Sequence, residues 1–112
     1  MHKPQPKQTR YRNPKILKAC HHPDNVCLVQ LPGCQGSPTV PAHSNASDDG
    51  KGGSQKADDC FVAIACQHCH DILDGRKHYG GKTELDVLAK LWYHDRAIKR
   101  SIRRLIDLEV IK

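Results

Sequence analysis

A small α+β domain is what this sequence predicts, and three observations carry the prediction. The chain is 112 residues long, room for one domain. Short apolar stretches broken by turn residues fill its first two thirds, and one long segment with helical periodicity fills the rest. Hydrophobic types make up only 38%, a figure that includes six cysteines, so the core is thin and needs a cross-link.

Charge and composition exclude several classes. The 18 Lys and Arg against 12 Asp and Glu give +6 at neutral pH, which suits a polyanionic partner. No apolar run approaches the roughly 20 residues of a membrane span. The start of the chain is charged but lacks the apolar h-region of a secretory signal, so the cytoplasm is the expected location, with no membrane partner. In that reducing setting the cysteines point to metal before disulfides.

The elements follow in order. Residues 1–15 are basic and carry no acid, which reads as a disordered basic arm ahead of a single domain over 16–112. Val26–Leu31 is a plausible strand ended by Pro32-Gly33, and Thr39–Ala42 is a second. Residues 44–57 have almost no apolar content and read as a mobile loop. The run CFVAIAC, Cys60–Cys66, reads as a buried strand, and it leads into a short helix ended by Gly75. The segment 83–109 is a long C-terminal helix: Thr83 can cap it, with Glu84 and Asp86 in its first turn. Apolar positions recur at Leu85, Leu88, Leu91, Trp92, Ile98, Ile102, Leu105 and Ile106. Arg96, Lys99, Arg100, Arg103 and Arg104 form a basic stripe on another face, read as a nucleic-acid contact. The apolar side of the helix could support a dimer, and monomer and homodimer both stay open.

The cysteines read as one structural zinc site. Cys66-x-x-Cys69 puts two thiolates on a tight knuckle. Cys27 and Cys34 flank the Leu31-Pro32-Gly33 turn, and a hairpin bent there brings their sulfurs together to complete four ligands. Cys20 competes for a ligand position, His21 and His22 less well, and Cys60 reads as a packed thiol. The run Cys66–His70 also matches the C-x-x-C-H haem attachment pattern, but haem and a three-disulfide scaffold would both need an oxidising compartment.

Two histidines stand out beside the cysteines. His43 ends a predicted strand, and His70 directly follows the second knuckle cysteine, with Asp74 one helical turn further on. An imidazole and a carboxylate on one helix face can hold a divalent cation and leave positions open for water and phosphate. A separate histidine could deprotonate the attacking water. His70 could instead be the fourth ligand of a Cys3His zinc site, Asp74 could simply cap its helix, and Asp71 could support an imidazole from behind.

These motifs together resemble a known family. The C-x6-C pair, Val40-Pro41-Ala42-His43, a polar loop, and Ala65-Cys66-x-x-Cys69-His70-Asp71 with Asp74 look like the HNH, or His-Me finger, endonucleases. More narrowly, the chain is similar to the small phage- and prophage-encoded nucleases of the YbcO type, over residues 20–80 and more weakly through the last helix. The resemblance implies a ββα-metal fold, in which a hairpin carries the base and a helix carries the metal ligands. It implies His43 as general base, Asp59 orienting its imidazole, and Mg2+ or Mn2+ on His70 and Asp74. It implies DNA as substrate, with Arg76 and Lys77 on phosphates. Many family members have Asp or His just before the base; this chain has Ala42, so the cation would rely on His70, Asp74 and His78. The main alternative is a non-catalytic zinc-stapled nucleic-acid-binding protein, and a third reading is an adaptor that uses the amphipathic helix.

Overall fold

The computed structural model describes residues 10–45, 56–77 and 84–111, without the side chains of Glu84 and Leu85. Helix α1 spans Pro14–Ala19, strand β1 Thr39–His43, strand β2 Val62–Cys66, helix α2 Gln67–Leu73 and helix α3 Glu84–Asp107. The expected α+β composition, with a long last helix, is what forms.

The chain becomes ordered earlier than its charge suggested. Asn13 caps α1 by accepting the Lys15 N–H at 3.1 Å, Pro14 takes the first helical position, and Ile16 anchors the helix in the core. Tyr11, Arg12 and Asn13 are all bonded to residues 56–59, so the part of the expected arm from residue 11 belongs to the domain. Residues 1–9 lie outside the described residues, as do 46–55 of the expected loop.

β1 and β2 pair antiparallel, with Thr39 opposite Cys66, Pro41 opposite Ile64 and His43 opposite Val62. Proline is tolerated in β1 because the polar backbone of its partner, Ile64, is satisfied on the far edge. There the Ile64 N–H donates to Ser101 Oγ at 2.8 Å, and its carbonyl accepts the Leu28 N–H at 2.9 Å. Every β2 side chain is buried, because the strand lies between two cores. Ala63 and Ala65 face one with Cys27, Val29, Leu31, Ile72 and Ala97; Val62 and Ile64 face the other with Ile16, Cys20 and Leu105. α3 serves both cores, which is why one long helix closes the domain.

Val26–Leu31 is not a strand. Its alternation is real, since Val26 is 59% exposed while Cys27, Val29 and Leu31 are buried. The backbone turns instead, with Gln30 at φ 60° and Gly33 at φ 84°, because Cys27 and Cys34 must converge. The positive φ favours glycine at 33, where a Cβ would also stand 2.6 Å from His68 Nε2 and oblige that ring to shift. α2 starts on Cys66, whose sulfur accepts the Cys69 N–H, and stops before Gly75 at φ 79°.

α3 departs from its expected pattern in one respect. Ile98 and Leu105 are buried and Ile102 is partly so, but Leu88, Leu91, Trp92 and Ile106 are exposed. No helix among the described residues is long and apolar enough to cross a membrane.

Candidate active site and metal centre

Cys27, Cys34, Cys66 and Cys69 converge so that their sulfur atoms all lie within 4.8 Å of one another. The Cys34 and Cys66 sulfurs are 3.9 Å apart. Thiolates about 2.3 Å from a tetrahedral zinc would stand about 3.8 Å apart, so the cluster has the right size. Backbone amides point at the sulfurs: Cys66 Sγ accepts N–H groups from Gln35 at 3.4 Å and Cys69 at 3.5 Å. A hydrogen bond from the Cys69 thiol, with amides of Gln30, Cys66 and Val29, pulls Cys27 down to about 4 against its burial. The same bond, with burial, drives the Cys69 thiol up, and burial raises Cys34. Buried thiols this close cannot all ionise unaided. Four sulfurs that favour a cation, in a closed shell, could hold a zinc ion. Cys20 is absent from this group and sits in the second core, its thiol pushed up to about 12 by burial and by Asp59.

The hairpin places His43 against Asp59. His43 Nε2 stands 2.9 Å from Asp59 Oδ1, and Asp59 is only 2% exposed. The other carboxylate oxygen accepts the Asn13 N–H at 2.7 Å, and Arg12 Nη1 lies 3.5 Å from Oδ1. Burial works to raise the Asp59 carboxyl, but the bonds from His43 and Asn13, with the charges of His43 and Arg12, hold it below its ordinary value. An ionised Asp59 can only accept, so Nε2 of His43 carries the proton of this hydrogen bond, and whenever the ring is neutral its lone pair lies on Nδ1. The strand under His43 is fixed too, because buried His94 of α3 bonds the Ala42 carbonyl at 3.1 Å.

His43 shares a cleft of about 770 Å³ with His70 and Asp74, lined also by Lys56, Arg76 and Lys90. His70 Nε2 is 3.0 Å from Asp74 Oδ2. That is hydrogen-bonding distance, so the imidazole and the carboxylate meet on one face of the cleft. His70 Nδ1 is buried and has no hydrogen-bond partner among the described residues. The site has a competitor: Arg76 reaches Asp74 Oδ2 at 3.2 Å and Asp71 Oδ1 at 3.0 Å. His78, considered as a further ligand, lies outside the described residues. Asp71 supports Arg76 and Gln67 rather than an imidazole.

The basic stripe of α3 divides into two faces. Arg96, Arg100 and Arg104, four residues apart, turn onto the 25–30 loop. Arg96 bonds the Val29 carbonyl at 3.1 Å, Arg100 the Gln30 side chain at 3.1 Å and Arg104 the Asn25 side chain at 2.8 Å. Arg96 also lies over Trp92, 4.6 Å from the ring centroid. Lys99 and Arg103 point outward, paired with Asp95 at 3.2 Å and Asp107 at 3.1 Å. Helical periodicity puts such residues on one face but does not reveal that the 25–30 loop lies beneath part of it. Lys77 bonds His68 Nδ1 at 3.4 Å.

Sequence reasoning missed Arg12, Asn13 and Lys90, which reach the site from distant parts of the chain, and Lys56, which falls in the segment read as a mobile loop. Lys90 carried a legible signal: it falls outside the apolar stripe of α3, on the turn before His94.

The family model described as Putative nuclease YbcO matches residues 18–110, a span that holds all four clustered cysteines, His43, Asp59, His70 and Asp74. No curated protein and no solved structure matches the chain. The chain belongs to the YbcO family of putative nucleases, which implies nucleic acid as its substrate and suggests a hydrolase.

Proposed function

We propose that this protein is an HNH-type, metal-dependent endonuclease that hydrolyses phosphodiester bonds in DNA with His43 as general base. The β1–β2 hairpin and α2 would be its ββα-metal unit. The observation that carries the reading is the His43–Asp59 pair at 2.9 Å on the wall of a cleft that also holds His70 and Asp74. Asp59 accepts the hydrogen bond from Nε2–H, so Nδ1 is the nitrogen left to accept a proton from water in the cleft. The imidazolium formed is then stabilised by the buried carboxylate. General base catalysis of this kind is typically worth about 10²–10⁴-fold. His70 and Asp74 would hold Mg2+ or Mn2+, which supplies positive charge at the phosphoryl and leaving oxygens. Lys56, Lys90 and Arg76 surround the same space with cations for the backbone. Zinc on the four cysteines would take no part in the chemistry. It fixes the 27–34 turn to the start of α2, and so sets His70 against the hairpin.

The non-catalytic reading draws on one observation, the Arg76 guanidinium on Asp74, together with Ala42 where a ligand is expected. Plasmid nicking in Mg2+ or Mn2+ separates the two. Wild type should nick, and His43→Ala at matched zinc content should be slower by about 10²-fold or more. Binding without nicking, or equal cutting by the variant, would overturn the nuclease.

A further inference from the structure

Asp59 is reached from a direction that the hairpin and the zinc site do not explain. Residues 56–59 belong to no helix or strand, yet they present Lys56 to the cleft and Asp59 to His43. What holds them is the segment just before α1. The Asp59 N–H donates to the Tyr11 carbonyl at 2.9 Å, and the Tyr11 N–H donates to Asp58 Oδ1 at 3.2 Å. The Asn13 N–H donates to Asp59 Oδ2 at 2.7 Å.

Arg12 closes the seam. Its Nη1 donates to the Ala57 carbonyl at 2.7 Å and its Nη2 to the Lys56 carbonyl at 3.1 Å. These are shorter than its 3.5 Å approach to Asp59 Oδ1, so the guanidinium acts first as a fork across two carbonyls and only second as a charge beside the acid. The clamp has a firm base, because Ile16, one turn on, is packed with Val62, Ile64 and Leu105. Residues 11–13 precede the span 18–110 that the family match covers.

We propose that Tyr11–Asn13 is a working part of the active site, and that Arg12 is a positioning residue that fixes Asp59 and, through it, the proton-accepting face of His43. The proposal rests on His43 being the general base. Arg12 bonds the carbonyls of Lys56 and Ala57 and approaches Asp59. Its effect is exerted through the acid, so it must vanish when the acid is already disabled.

That requirement sets the test, a double-mutant cycle on the full chain with Arg12→Ala, Asp59→Asn and the pair. Cleavage of a labelled duplex is followed in single turnover at saturating protein, with zinc content and melting temperature recorded for each variant. Misplacement of a catalytic group by about 1 Å costs up to about 10²-fold, so Arg12→Ala should slow cleavage by about 10–100-fold. Its affinity for uncleaved duplex without divalent cation should change by only about two- to threefold, the loss of one cation. In the Asp59→Asn background the same change should have almost no effect on rate. Arg12→Lys, which can bond one carbonyl but cannot fork, should fall between. Millimolar guanidinium should restore part of the Arg12→Ala rate.

Three results would overturn the proposal. They are an unchanged rate in Arg12→Ala, a full Arg12→Ala effect on top of Asp59→Asn, and a loss that follows melting temperature or zinc with no recovery in Arg12→Lys or guanidinium. His43→Ala run alongside keeps the two ideas apart. If it cleaves like wild type, the general-base reading has failed; if it is inactive while Arg12→Ala is not, only the positioning role has.

Discussion

Replacing Asp59 by Asn alters little in shape and should stop the chemistry while the fold survives. The carboxylate accepts on both sides, from the Asn13 N–H at 2.7 Å and from His43 Nε2 at 2.9 Å. An amide has one oxygen, so it can satisfy one of these donors and must turn its NH2 towards the other. If the oxygen stays with Asn13, the NH2 faces His43 and forces Nε2 to accept, which moves the ring proton to Nδ1 and removes the base. If the oxygen turns to His43, two donors meet at Asn13 in a buried site, costing about 1–3 kcal/mol. The first arrangement is the cheaper one. The rate of single-turnover cleavage at pH 7 should then fall by about 10²–10⁴-fold, the worth of a general base. A domain of this size has about 5–15 kcal/mol to lose, so the variant should still melt cooperatively and keep its zinc. The carboxyl lies below its ordinary value in the fold, so it contributes stability that is present above about pH 4 and lost as pH falls through the lower native value. Asp59→Asn should lack that acid-side increment. A variant that cleaves within about threefold of wild type would refute the reasoning, since a misdirected base cannot retain that rate.

Three further predictions follow from other parts of the molecule. Chelation should release one zinc per chain and unfold the domain, read by a metallochromic dye and circular dichroism, because structural zinc is worth about 10–16 kcal/mol in small domains; a folded chelated protein would remove the staple. Ser101→Ala strips the Ile64 N–H of its partner on the covered edge of β2 and should cost about 1–3 kcal/mol, seen as a lower melting temperature. Lys56→Gln with Lys90→Gln should weaken duplex binding without divalent cation and reduce the slope of log K against log salt by about 2, whereas Arg100→Gln should act mainly on stability; equal slopes for wild type and the lysine pair would place the DNA elsewhere.

Much of this architecture was legible because a few motifs constrain it strongly. Cys66-x-x-Cys69 fixes the start of α2 by covalent spacing, and the run Val62–Cys66 is apolar on both faces because it lies between two cores. The pairing of Cys27 with Cys34 was readable from Pro32-Gly33, but the bend needed to bring them together also abolishes the strand expected there. What escaped was set by contacts distant in sequence. Arg12 meets residues 56 and 57 across 44 and 45 positions, and no local pattern marks that. A run of basic residues beside prolines looks the same whether it is solvated or capped by a buried acid. The α3 stripe divides for a related reason: periodicity gives faces, and only the packed 25–30 loop decides which face meets protein.

Chemical rescue reads out whether His43 removes a proton from water. His43→Gly should cleave DNA at least about 10²-fold more slowly than wild type, with zinc content unchanged. Added imidazole should restore cleavage in proportion to its neutral form, the rate rising with pH through the imidazole pKa. Cleavage by His43→Gly at the wild-type rate, with no response to imidazole, would contradict the account.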